Sequence, residues 1–146
     1  MALGPNRQIF QTTIASAVNE AAERGGILCA STTAGQAEYL TSPTGSAVYP
    51  IGILLDDVED MNFDRHPEYL QREAVDIGSV VGIANKGEFQ TDQIVGSPTQ
   101  GQPAYLHPNG AIGATQLTDG ITSAPRVGTF RSAKDANGFA TVLVDL

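Results

Sequence analysis

Short apolar runs alternate with turn residues along most of this chain, at a spacing of roughly ten residues that suits strands far better than helices. Gly26 to Ala30 (GILCA) reads as an apolar strand. Ala47 to Leu55 (AVYPIGILL) is a second. It carries Pro50 and Gly52, and proline inside a strand implies an edge or a bulge, so this strand is expected to bend. Gly78 to Ala84, the turn Asn85-Lys86-Gly87 and Glu88 to Val95 predict a hairpin. Ala104-Tyr105-Leu106 predicts a short strand, His107 to Gly110 a turn, and Ala111 to Leu117 a further strand. Arg126 to Arg131 and Gly138 to Leu146 close the chain as a hairpin, with Asn137-Gly138 as its turn pair. About seven or eight short strands in this rhythm predict a mainly β fold, a small antiparallel barrel or sandwich.

Three stretches depart from that rhythm. Residues 1–13 read as an extended N-terminal arm: Gly4, Pro5 and Asn6 discourage regular structure, and Gln8 to Thr13 (QIFQTT) has β propensity and little charge. Such a segment can add a strand to a neighbour's sheet, or serve as the first strand of its own domain. In residues 14–24, Ile14, Ala17, Val18, Ala21 and Ala22 recur at helical spacing before Gly25-Gly26, which predicts a short helix, with a strand as the alternative. Thr33 to Thr44 reads as loop or edge strand. Residues 56–76 form an acidic excursion from the single domain of residues 14–146. It holds eight of the sixteen carboxylates, together with Phe63, Tyr69 and Leu70, and His66-Pro67-Glu68 could open a second short helix. Pro50-Ile51-Gly52-Ile53, Val81-Gly82-Ile83 and Val127-Gly128-Thr129 echo one another as apolar strands with a central glycine, where a strand can curl tightly.

Composition sharpens this picture. At 146 residues the chain has the size of one domain that needs neither metal nor disulfide to hold a core. Charged residues are only 16%, and Gly, Ser, Thr, Gln and Pro take their place. The net charge of −8 and eight scattered basic residues argue against nucleic acid and anionic lipid as partners. Cys29, the single cysteine, sits among Ile27, Leu28 and Ala30, as a small buried apolar residue does. One thiol suits a reducing compartment. With no long apolar run and no signal-like N-terminus, synthesis in the cytoplasm is expected.

Motifs for catalysis and cofactor binding are sparse. His66 and His107 are the two histidines, and no second ligand stands at metal spacing. There is no Gly-x-Ser-x-Gly elbow, phosphate loop or dinucleotide fingerprint. Asp56-Asp57-Val58-Glu59-Asp60 lacks the glycine and final glutamate of a calcium loop, and reads first as a solvated acidic loop. Asp56, Asp57 or Asp60 could serve a polysaccharide-acting enzyme only if they met in a cleft, and without tryptophan such a cleft has few stacking groups. No cofactor, metal or catalytic residue is expected.

The second half carries a further signal. Lys86-Gly87-Glu88-Phe89-Gln90-Thr91-Asp92 is followed by Gly101-Gln102-Pro103-Ala104-Tyr105-Leu106, Asn109-Gly110-Ala111-Ile112, Val127-Gly128-Thr129-Phe130-Arg131-Ser132 and the final Asn137-Gly138-Phe139-Ala140-Thr141-Val142-Leu143-Val144-Asp145-Leu146. This order resembles the capsid decoration (cement) proteins of tailed bacteriophages, loosely over 45–146 and better over 78–146. The resemblance implies a β-tulip or barrel fold and a virion protein that stabilises the head from outside, bridging subunits of the major capsid protein. It also implies a homo-oligomer, with a trimer suited to three-fold shell positions. An arm reaching the shell makes Asn6, Arg7, Gln8, Ile9, Phe10, Gln11, Thr12 and Thr13 the candidate capsid-binding residues. Phe63, Tyr69 and Leu70 become candidates for intersubunit contact, as aromatic groups within a charged loop. A head-completion or tail-associated protein is the alternative from the same setting.

Overall fold

The computed structural model describes the backbone of residues 12–18, 22–57, 74–75 and 80–146, and the side chains of residues 23–55 and 81–146. The first half holds β1 (Thr12–Val18), β2 (Ala22–Glu23), β3 (Ile27–Ala30), β4 (Gln36–Glu38), β5 (Pro50–Asp57), β6 (Ala74–Val75) and β7 (Val80–Ala84). The second holds β8 (Lys86–Thr91), β9 (Ile94–Val95), β10 (Pro103–Leu106), β11 (Ile112–Gly113), β12 (Arg126–Phe130) and β13 (Ala140–Asp145). A single 3-10 turn at Pro108–Gly110 is the only helical element among the described residues.

Two curled sheets result. The first runs β1-β4-β3-β5-β7 and closes on itself, because β7 pairs back onto β1 from Thr12↔Ala84 to Ala17↔Val80. The second is open, in the order β8-β13-β12-β10-β11-β9. β2 and β6 form a small separate ribbon.

The mainly β expectation holds, and several local expectations do not. The spacing at 14–24 gives no helix: Thr12–Val18 is a strand, with a register shift between Ala15 and Ala17. Thr12, Thr13, Ile14 and Val18 are β-branched, and β7 and β4 supply ladders for them. The pairing is not wholly antiparallel. β1 runs parallel to β4, and β9 to β11, as strands joined by longer crossovers can. β4 is no edge strand, since β1 and β3 flank it. Ala111 to Leu117 contributes only Ile112–Gly113 as strand.

The hairpin expected across Asn85 is also absent. β7 stays in the first sheet, while β8 pairs with β13 in the second. A single residue separates β7 from β8, too few to reverse the chain, so it crosses from one sheet to the other. The closing hairpin is present: β12 pairs β13 through Gly128↔Val144 and Phe130↔Val142.

Strand alternation then builds the core. Ile27, Cys29 and Ile53 pack with Leu106, Val127, Phe130, Val142 and Val144, which joins the two sheets. Their neighbours Leu28 and Leu54 turn the other way and meet Ala37, Tyr39, Val81 and Ile83 inside the closed sheet. These strands are buried on both faces, which is why they read as continuous apolar runs. Each large side chain buried in this way stabilises the fold by about 1.5–3 kcal/mol. Two echoed glycines let the strands approach. A Cβ on Gly52 would lie 2.6 Å from the Ala84 carbonyl oxygen, and one on Gly128 would overlap the Leu143 carbonyl. The expected bend in β5 is a register shift opposite Leu28 and Cys29.

Candidate interaction surfaces

The junction of the two sheets is held by polar bonds. Thr91, at the end of β8, donates its hydroxyl to the Gly25 carbonyl at 2.8 Å and accepts from the Gln93 amide at 3.1 Å. Gly25 has φ +90°, and a Cβ there would meet the Thr91 Oγ1 at 2.5 Å. The buried Tyr39 hydroxyl donates to the Glu23 carbonyl and accepts from the Gly26 amide at 3.2 Å. The Asn109 amide donates to the Leu40 carbonyl at 2.8 Å, tying the 3-10 turn to the first sheet.

Beside this junction lies a groove of about 290 Å3. Ile53, Leu55, Phe89 and the partly exposed Phe139 give it apolar walls, and Glu23, Arg24 and Asp92 line it with charge. Its volume is near the lower end of small-molecule pockets.

A second feature stands between β11 and β12. The Asp119 carboxylate accepts from the Ile121 amide at 2.8 Å, the Thr122 amide at 2.7 Å and the Thr122 hydroxyl at 2.8 Å. Thr118 Oγ1 accepts from the Gly120 amide at 3.1 Å and donates to the Thr122 carbonyl at 3.0 Å. Thr118 and Ser123 close the tip as a β-bridge. These donors, the Thr122 amide first and then the Ile121 amide, hold the Asp119 carboxyl below its ordinary range. The loop so ordered carries Ile121 at its apex with 94% of its surface exposed. Tyr49, just before β5, is 62% exposed.

The other chemistry-bearing groups are enclosed. Cys29 is buried, and burial, with a smaller push from Glu38, raises its thiol to about 12, so it is a poor nucleophile. His107 is buried beside Gly113, with its Nε2 2.9 Å from the Thr115 carbonyl oxygen. Among the described residues no three His, Cys, Asp or Glu side chains gather at metal-binding distance. No helix among them is long and apolar enough to cross a membrane.

Of the candidate capsid-binding residues, Thr12 and Thr13 fall in β1, opposite Ala84 and Ile83, so on that side their ladder is filled by the chain itself. Asn6 to Gln11 lie outside the described residues, as do Phe63, Tyr69 and Leu70 of the proposed intersubunit contact and Asp60 of the acidic run. Asp56 and Asp57 are the last residues of β5, paired with Gly82 and Val81, so the strand runs further than the excursion boundary at 56 implied. Reading by strand periodicity passed over Ile121. The usable signal was Asp119-Gly120, a turn pair with hydroxyl residues on both sides, which marks a loop that bonds to itself.

No protein-family model matches this chain, and no curated protein matches it. The likeness to capsid decoration proteins therefore rests on the residues quoted above.

Proposed function

We propose that this chain is a structural virion protein that binds the outside of a phage head and stabilises it by bridging neighbouring copies of the major capsid protein. It acts through contact surfaces rather than catalysis, as a homo-oligomer, taken to be a trimer, of β-tulip type. The observation that carries the reading is that Ile121, on a loop ordered by its own hydrogen bonds, and Tyr49 stand out in solvent on a chain poor in charge. Exposed apolar and aromatic anchors set among polar residues suit protein contacts. The acidic balance suits an outer surface that does not compete for packaged DNA. Ligands that bind only the assembled shell stabilise it by mass action, and many symmetric copies turn modest affinities into a large total.

Within this reading, Asn6 to Gln11 reach the shell by strand addition, and Phe63, Tyr69 and Leu70 meet a neighbouring copy. Heads assembled from the major capsid protein of the same virus provide the test. The full chain should cosediment with expanded heads and raise their melting temperature. A chain lacking residues 1–11 keeps every described strand and should fold but no longer cosediment. Full-length protein that ignores the heads would sink the proposal. Retention of the truncated chain at full occupancy would move the interface to another surface. A single ring of copies at one vertex, seen by electron microscopy, would favour a head-completion role over decoration.

A further inference from the structure

We propose that the outer edge of β8 receives an extended segment of the major capsid protein, which adds a strand there and sets a basic residue beside Asp92 and Glu23. This contact rests on the shell-binding role proposed above and gives that role a surface and a partner chemistry. The register of the last strands fixes which groups of β8 are open. The Leu146 amide donates to the Asn85 carbonyl at 3.0 Å, which makes these two a bonded pair of the antiparallel ladder. Bonded and unbonded pairs alternate along such a ladder. The pairing of β8 with β13 runs without a shift from Lys86↔Asp145 to Thr91↔Ala140, so Gly87, Phe89 and Thr91 bond to β13 while Lys86, Glu88 and Gln90 do not. β12 gives the same phase from the other side. The Arg131 amide donates to the Thr141 carbonyl at 2.7 Å, so Thr141 and Leu143 bond to β12, and Val142 and Val144 are left for β8. The amides and carbonyls of Lys86, Glu88 and Gln90 therefore point away from the sheet, and no described residue bonds to them.

An open edge is a template for an incoming strand, whose main-chain bonds supply affinity and whose alternate side chains supply choice. Lys86, Glu88 and Gln90 have exposed side chains, whereas Gly87 and Thr91 are buried and Phe89 is half-buried. A residue placed opposite Phe89 faces that ring and the groove it borders with Ile53 and Leu55, which favours an apolar side chain. Toward Thr91 the same lining turns acidic. The side-chain amide of Gln93, a neutral donor, lies 3.1 Å from the Glu23 carboxylate and 3.5 Å from that of Asp92, and neither carboxylate is ion-paired among the described residues. Arg24 lines this end too, but it is engaged by contacts of its own. A segment with a basic residue two places from an apolar one fits both halves of the site, and an acidic segment would meet two like charges. The net charge of −8 works in the same direction.

Amide exchange reads this edge residue by residue. In the free protein the Gly87 and Phe89 amides should exchange slowly and those of Lys86, Glu88 and Gln90 fast. On expanded heads of the same virus's major capsid protein, the latter three should slow by about tenfold or more, while Gly87 and Phe89 stay as they were. Gln90→Pro removes one outward donor and leaves every bond to β13 in place, so it should fold and melt as the wild type does but bind heads about tenfold more weakly. Glu23→Lys, at an exposed side chain, should weaken binding as well, and more so at low salt. Heads that bind the wild type without slowing those three amides would overturn the proposal and leave the shell reading standing. Slowing that follows protein concentration in the absence of heads would overturn the capsid source and give the edge to a neighbouring copy. Heads that bind nothing would sink the shell reading, and a peptide then decides the edge by itself. Acetyl-Thr-Arg-Thr-Ile-Thr-Val-amide should shift the Glu88 and Gln90 amide resonances saturably, and its counterpart with glutamate for arginine should do so about tenfold more weakly. No saturable shift, or equal affinity for the two peptides, would overturn the site.

Discussion

Asp119 and Cys29 make opposite predictions about pH. Asp119 is fully exposed, yet three donors of its own loop favour its charged form, so the folded carboxyl titrates below the unfolded one. The order it gives the loop is complete above the ordinary carboxylate range and is lost as pH falls through the lowered folded value. Amide protons of Ile121 and Thr122 should therefore lose exchange protection selectively in acid, relative to those of β12, and Asp119→Ala should remove it at neutral pH. The thiol runs the other way. Its folded value is raised to about 12, so above the ordinary thiol value the unfolded chain ionises first and stability declines with rising pH. Burial raises the Tyr39 hydroxyl too and adds to that slope. Melting temperature should fall steadily between mildly and strongly alkaline pH, and Cys29→Ala should shallow the fall.

Strand by strand, the chain was most legible where turn chemistry and apolar runs agreed. The β12–β13 hairpin lies where its glycine turn placed it: the Asp135 carboxylate accepts the Asn137 amide at 2.9 Å and the Phe139 amide at 2.8 Å, and Gly138 takes φ +94°. Two elements were illegible for physical reasons. In residues 12–18, Ile14, Ala17 and Val18 stand at a spacing that fits either state, and only the distant ladders of β7 and β4 decide. Asn85 looks like a turn, but whether a chain reverses or crosses between sheets depends on partners no local pattern encodes. The Ile121 surface escaped because one exposed isoleucine has no periodicity to announce it. The central glycines, by contrast, were readable as close approaches. Gly128→Val would drive a side chain into the Leu143 carbonyl and should leave little soluble folded protein on expression, whereas Gly96→Ala, with nothing near its Cβ, should cost only about 1 kcal/mol for its φ of +77° in denaturant unfolding.

At the scale of the molecule, the two larger sheets of the described residues share one of two apolar clusters. Ile27, Cys29 and Ile53 from the first pack with Phe130, Val142 and Val144 from the second, so neither keeps its packing without the other. Calorimetry should give a single transition whose calorimetric and van't Hoff enthalpies agree, and two resolved transitions would show that the sheets melt independently. The closing pairs carry a further consequence, for the order of assembly. Thr12 finds its partner at Ala84, and Lys86 finds its own at Asp145. Each half of the chain is sealed by its last strand returning to its first. On a ribosome the barrel stays open until β7 has emerged, and the second sheet waits for β13. Refolding dominated by such distant pairings belongs to the millisecond-to-second regime of slow β proteins. Nascent chains stalled before Ala140 lack β13, and with it Val142 and Val144 of the shared core, so they should remain protease-sensitive, whereas chains in which Asp145 has emerged should resist.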